Sequence, residues 1–263
     1  MRALLWTFGV LFACGLCMPR GAPERAPLRL QRQQDASAAL ERARAAKTAM
    51  RGLEGAALKR ARRRAVAAYR RVRREHPGSV EAAEAAFRAG ELLRAAEDVQ
   101  GARREFQAAA EGGAPKFRAR ATLELAHLER RAGHLERALT LFEAVALDEH
   151  APAHLRDAAG LGCARVLLAH ARTPEARRWA ARVARTARDP LVRIHAHDVI
   201  ACAWVDAGDL EAAAGALEEC RAALQSIARE ETALGGRVRA ALEERLAVER
   251  LRTAVAERWR RKQ

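Results

Sequence analysis

Residues 132–145 read "AGHLERALTLFEAV". Ala138, Phe142 and Val145 follow i, i+4, i+7, so a small, a bulky and a second apolar side chain share one stripe of a helix. Gly133 lies five residues before the alanine, where a tight turn into that helix needs a permissive backbone. The triplet also appears as Ala65–Tyr69–Val72, Ala102–Phe106–Ala109, Ala176–Ala180–Val183 and Ala213–Leu217–Cys220. With Ala138 in line, the leading alanines stand 37, 36, 38 and 37 residues apart. A fixed period of that size marks stacked helical units, each too thin to bury its apolar edge alone.

Upstream of each triplet a second stripe belongs to the partner helix of the unit. It holds Phe87, Gly90 and Leu93 in one copy, Thr122, Leu125 and Ala126 in the next, and Ile200, Ala201 and Trp204 in the last. The joints agree with this reading. Gly208 repeats the position of Gly133. Asp98, Thr173 and Asp209 are candidate caps of second helices, and Ser79 and Asp189 of first helices. Pro77, Pro115, Pro152 and Pro190 fall near unit boundaries and stop the preceding helix. The expected fold is all-α, with repeats over residues 36–228 and a C-terminal capping helix over 229–263. Gly52 and Gly55 argue against one unbroken helix in the first unit.

Composition supports the class. Half of the chain is apolar but only 4% is aromatic, and alanine dominates. Alanine favours helices and buries little area, so such a core needs closely packed helices. The formal net charge of +15 is uneven. Residues 1–76 hold 18 Lys+Arg against 5 Asp+Glu, and residues 77–228 hold 20 against 22. The basic run 59–74, "KRARRRAVAAYRRVRR", yields the alternative functional reading, a binder of nucleic acid or an anionic membrane surface. Aromatic side chains for base stacking are scarce there, which disfavours nucleic acid.

The first residues, "MRALLWTFGVLFACGLCMPRG", hold an uncharged run from Ala3 to Met18 between Arg2 and Arg20. The run is shorter than the ~20 residues of a spanning helix and fits the core of a signal peptide. Residues 1–20 are therefore expected to be a signal peptide or membrane anchor, and 21–35 a linker. "LFAC" resembles the lipobox of bacterial lipoproteins, which implies lipidation of Cys14. Cleavage without lipid and a retained anchor are the alternatives. Cys163, Cys202 and Cys220 lie at small-residue positions of helices, where packing is the default role and a Cys202–Cys220 bridge the alternative.

The repeat resembles the tetratricopeptide repeat (TPR), with Leu125–Ala126, Ala138, Phe142 and Pro152 at or near its signature places. That resemblance implies a right-handed α-solenoid of about five TPR-like hairpins. Within "AYRRVRREHPGSVEAAEAAFRAGELLRAAEDVQGARREF", Tyr69, Pro77, Ser79, Ala86, Gly90, Ala102 and Phe106 carry a further likeness. It is to outer-membrane-assembly lipoproteins and Tol–Pal-associated periplasmic TPR proteins. It implies a periplasmic or envelope location and a scaffold that binds other envelope proteins.

Nothing in the sequence assembles a catalytic set. No glycine-rich phosphate loop and no G-x-S-x-G is present. His150 and His154 are i, i+4 with Pro152 between them, and no third ligand completes a metal set. No enzyme activity, cofactor or metal is expected. In TPR proteins the first helix of each unit lines the concave face. Matching that register gives a candidate peptide-binding groove of Arg94, Arg120, Leu123, His127, Arg130, Arg131, Leu161 and Arg165, flanked by Glu84, Phe87, Glu91, Leu168, His195, Asp198 and Asp206. Its arginines suit an acidic or C-terminal peptide, and its leucines apolar side chains.

Overall fold

The computed structural model describes residues 25–112 and 114–230. They form helices only: α1 (Arg25–Thr48), α2 (Gly55–Glu75), α3 (Val80–Arg94), α4 (Val99–Glu111), α5 (Pro115–Arg131), α6 (Leu135–Ala146), α7 (Ala153–Ala169), α8 (Thr173–Thr186), α9 (Pro190–Asp206) and α10 (Leu210–Glu230). Each helix packs on the next, and successive pairs stack as helical hairpins. The expected capping helix over 229–263 lies outside the described residues beyond Glu230, as does Cys14.

The triplets are the seam of the stack. All fifteen of their side chains are buried, from Ala65 and Tyr69 to Leu217 and Cys220. Each small residue lets a neighbouring helix approach, and the bulky one fills the space beside it. The core accordingly divides into clusters, one around Phe106, one around Phe142 and one around Tyr69, each shared by adjacent hairpins. Full burial of such a side chain stabilises the fold by about 1.5–3 kcal/mol.

The turns inside the last four hairpins obey one rule. Glu97, Gly133, Ala171 and Gly208 all have positive φ, at 62°, 79°, 58° and 78°. Each stands five residues before its leading alanine. The next residue, Asp98, His134, Arg172 or Asp209, donates its N–H to the carbonyl of Leu93, Glu129, Leu167 or Trp204 at 2.9–3.0 Å. This left-handed turn caps the first helix and reverses the chain. Asp98 and Asp209 then cap the second helices by accepting from the N–H groups of Gly101 and Ala212. Ser79 and Asp189 do the same for α3 and α9.

Three expectations need correction. Residues 25–35 are helical rather than linker, because Pro27 falls in the first turn of α1, where its missing N–H breaks no bond. Thr173 is the first helical residue of α8 and not its cap, a position that Arg172 occupies. The alternative of a Cys202–Cys220 bridge is also set aside: both thiols are buried and unbridged, and Cys220 Sγ donates to the Ile194 carbonyl.

The first helices form the inner layer. α1 touches α3, α3 touches α5, α5 touches α7 and α7 touches α9. The second helices show no comparable packing on one another among the described residues. A stack held more closely along one side bends toward it, so the concave face belongs to α1, α3, α5, α7 and α9.

Candidate functional site

The first-helix face changes character along its length. Between α1 and α3 its charges cancel. Arg44 bonds Glu41 and Glu84, both at 2.6 Å, and Arg88 bonds Glu91 at 2.9 Å. Lys47 reaches Glu91 at 3.7 Å. Between α3 and α5, Arg94 Nε stands 3.5 Å from Glu124 Oε2. Burial pushes the Glu124 carboxyl above its usual range, against the opposing charges of Arg94 and Arg131.

Between α5 and α7 the compensation ends. His127 is half-buried, its ring edge-on to Phe142 with centroids 5.0 Å apart. Burial lowers its pKa to about 4, and the charges of Arg130, Arg131, Arg165 and Arg94 all push the same way. The imidazole is therefore neutral at neutral pH, and four guanidinium groups from three first helices gather around it. Arg165 is itself held below the usual guanidinium value by burial; Asp198 on α9 opposes that shift and Arg130 adds to it. Arg120, Arg130 and Arg131 enter no ion pair with any described residue. Arg120 continues the stripe of His127 two turns back along α5.

The structure thus brings together Arg94, His127, Arg130, Arg131 and Arg165. Leu123 is half-buried against the cluster around Phe142 and stands one turn before His127 on the same stripe of α5. Leu161 does not join them. It is buried, packed with Ala180 and Val183 in the core between α7 and α8, so it cannot meet a ligand. Leu168 is likewise spent on packing between neighbouring hairpins. Pro152 is the cap of α7, which leaves His150 ahead of the helix and His154 within it, in line with the break expected at that proline. Among the described residues no three His, Cys, Asp or Glu side chains could share a metal ion. No helix there is long and apolar enough to cross a membrane.

Two buried carboxylates were missed by sequence reasoning. Glu129 of α5 is fully buried and meets Arg103 at 2.9 Å, His134 Nδ1 at 2.7 Å and Arg137 at 3.8 Å. Burial alone would raise its pKa, but the His134 hydrogen bond and the arginine charges outweigh it and hold the carboxyl below its usual range. Glu105 of α4 is buried too and receives Arg70 and Arg73 of α2, at 2.7 and 3.3 Å. A signal existed. In register, Glu129 stands where other units have Leu93, Leu167 and Trp204, and Glu105 where they have Ala68, Leu141, Trp179 and Ala216. An acid at an otherwise apolar repeat position requires cations from neighbouring helices.

No protein-family model matches the chain. No curated protein matches it either. Solved structures do. MamA protein superposes with a TM-score of 0.57 at 14% identity, over 75% of this chain and 96% of that one. A Podosopora anserina kinesin light chain with nearly identical TPR-like repeats gives 0.52 at 19% identity, over 72% and 94%. BtubC (BKLC) from P. vanneervenii gives 0.52 at 14%, over 74% and 91%. At these identities the likeness establishes the TPR-like solenoid fold.

Proposed function

We propose that this chain is a non-enzymatic protein-interaction scaffold of the bacterial cell envelope that receives an acidic peptide segment on its first-helix face. The observation that carries the binding mode is the unmatched charge of Arg130 and Arg131 beside Arg94 and Arg165, on a concave surface whose upstream half is neutralised by its own carboxylates. A peptide carboxylate entering there supplies the missing partner, and charge-assisted hydrogen bonds of this kind contribute about 1.5–3 kcal/mol each. Leu123 and the edge of His127 offer apolar contact beside them. The TPR-like fold supports the scaffold reading, because stacked helical arrays bind partners along the concave face.

The envelope assignment rests on the apolar run Ala3–Met18 between Arg2 and Arg20, and on the likeness to envelope TPR proteins. Attachment to the membrane would run through this N-terminus, by lipid on Cys14 or by a retained anchor. Photo-crosslinking in cells from position 123 tests the binding mode. A specific protein adduct is expected, and R120E/R130E/R131E removes it; an adduct that persists in that variant refutes the groove. Fractionation of cells with and without residues 1–20, with the mass of the mature N-terminus, tests the location. A chain that stays in the cytoplasm with Met1 intact refutes it.

A further inference from the structure

A second concave surface lies along α2. Residues from Gly55 to Arg74 line it, facing Leu93 of α3 and Ala96 and Asp98 of the α3–α4 turn, and it encloses about 880 Å³. Helical rise makes this stretch of α2 about 28 Å long. The floor is apolar, formed by Leu58, Ala67, Leu93 and Ala96 over the buried Val66, and the rim is strongly basic. Ion pairs on α2 use Arg70, Arg71 and Arg73. Lys59, Arg63 and Arg74 are exposed on the rim with no carboxylate partner among the described residues. Asp98, the one acid in the lining, already accepts from the Gly101 N–H as the cap of α4. Arg62 Nε is buried at the same surface without a hydrogen-bond partner.

We propose that this groove docks an acidic amphipathic helix from a protein partner. Its length accommodates about five helical turns, so apolar side chains spaced i, i+4, i+7 can follow Leu58, Ala67 and Leu93. Carboxylates on the flanks of that helix pair with Lys59, Arg63 and Arg74. A planar anionic membrane or a DNA duplex would meet the basic rim and leave the apolar floor unfilled. The chain's own C-terminal stretch is excluded by charge, since residues 229–263 hold 10 Lys+Arg against 6 Asp+Glu. This inference uses none of the residues of the first-helix face and stands apart from the reading given to that face.

The test is a selection on the full-length chain from displayed helical peptides of about 18 residues, with a fixed leucine stripe and randomised flanks. Enrichment of Asp and Glu in the flanks is expected. The best peptide is then titrated by fluorescence anisotropy against wild type, K59E/R63E and R130E/R131E. K59E/R63E weakens it by at least about ten-fold, while R130E/R131E leaves it within about two-fold. Lys59 and Arg63 are exposed, so the fold should survive; far-UV circular dichroism checks it, and the milder K59S/R63S serves if it does not. The proposal is overturned by no enrichment, by neutral or basic flanks, or by binding that K59E/R63E leaves intact. It is equally overturned if phosphatidylglycerol vesicles or duplex DNA bind through Lys59 and Arg63 while no peptide does, or if the chain self-associates through this face.

Discussion

Gly162 of α7 and Phe142 of α6 occupy one shared space: a Cβ built on Gly162 would lie 2.5 Å from the phenyl ring. Phe142 is wholly buried and cannot swing aside. Gly162→Ala is therefore expected to destabilise the protein by about 1–3 kcal/mol through overpacking, despite alanine's better helix propensity. Chemical denaturation measures it. An unchanged midpoint would mean that the two hairpins can slide apart, and the seam is softer than described.

The four left-handed turns make a paired prediction. Glu97 and Ala171 hold a conformation that costs a residue with a Cβ about 1–2 kcal/mol, whereas Gly133 and Gly208 hold it freely. Glu97→Gly and Ala171→Gly should each raise stability by up to about 1 kcal/mol, after the added freedom of glycine in the unfolded chain is subtracted. Gly133→Ala should lower it by a similar amount. Thermal melts of the three variants read both signs, and a loss on Glu97→Gly contradicts the turn geometry.

Acid should weaken the fold in two stages. His127 binds its proton near pH 4 when folded, against 6.5 for the free side chain. Its contribution is complete above pH 6.5 and is lost as the pH falls toward 4. Burial also lowers the pKa of His197, which adds to this limb. Glu129 lies below its ordinary value of 4.5, so its contribution is present above that pH and disappears below it. His127→Gln should flatten the upper limb of a stability–pH curve and Glu129→Gln the lower one. Identical curves for wild type and His127→Gln would remove His127 from the account.

Cys163 and Cys220 are buried, and desolvation pushes each thiol up to about 12. The thiolate is the reactive form, so both should resist Ellman's reagent in the native chain and react only on unfolding. A C14S/C17S background removes the two N-terminal cysteines from the readout. Rapid native labelling of either thiol would show that the fourth and fifth hairpins open readily.

The repeat could be read from residues because its seam has a regular chemistry: a small side chain at fixed spacing five times over, followed by a large one in every copy except that of Ala180. The turns were legible only where glycine stood. Glu97 and Ala171 adopt the same backbone under residue types that advertise nothing, and only their place in the period gives them away. Register placed Arg130 and Arg131 on the first-helix face, and both are exposed there. It misplaced Leu161, since a rotation of one residue, about 100° around the helix, separates a groove-facing position from one that faces α8. Glu105 and Glu129 escaped notice because helical periodicity counts apolar residues and is silent on an acid whose cations come from another helix.

Glu105 ties α2 to α4 through Arg70 and Arg73, a buried bond between two helices of the outer layer. Stretching such a coil means parting its outer rungs while its inner ones roll. The amino-terminal rungs are riveted there by a buried carboxylate, whereas α6 meets the Arg172 cap of α8 through the exposed Glu136 at 4.0 Å, a weaker tie. Compliance therefore concentrates toward the carboxyl-terminal end. A ligand wedged between α5 and α7 would open or close the pitch there while the front of the spring keeps its shape.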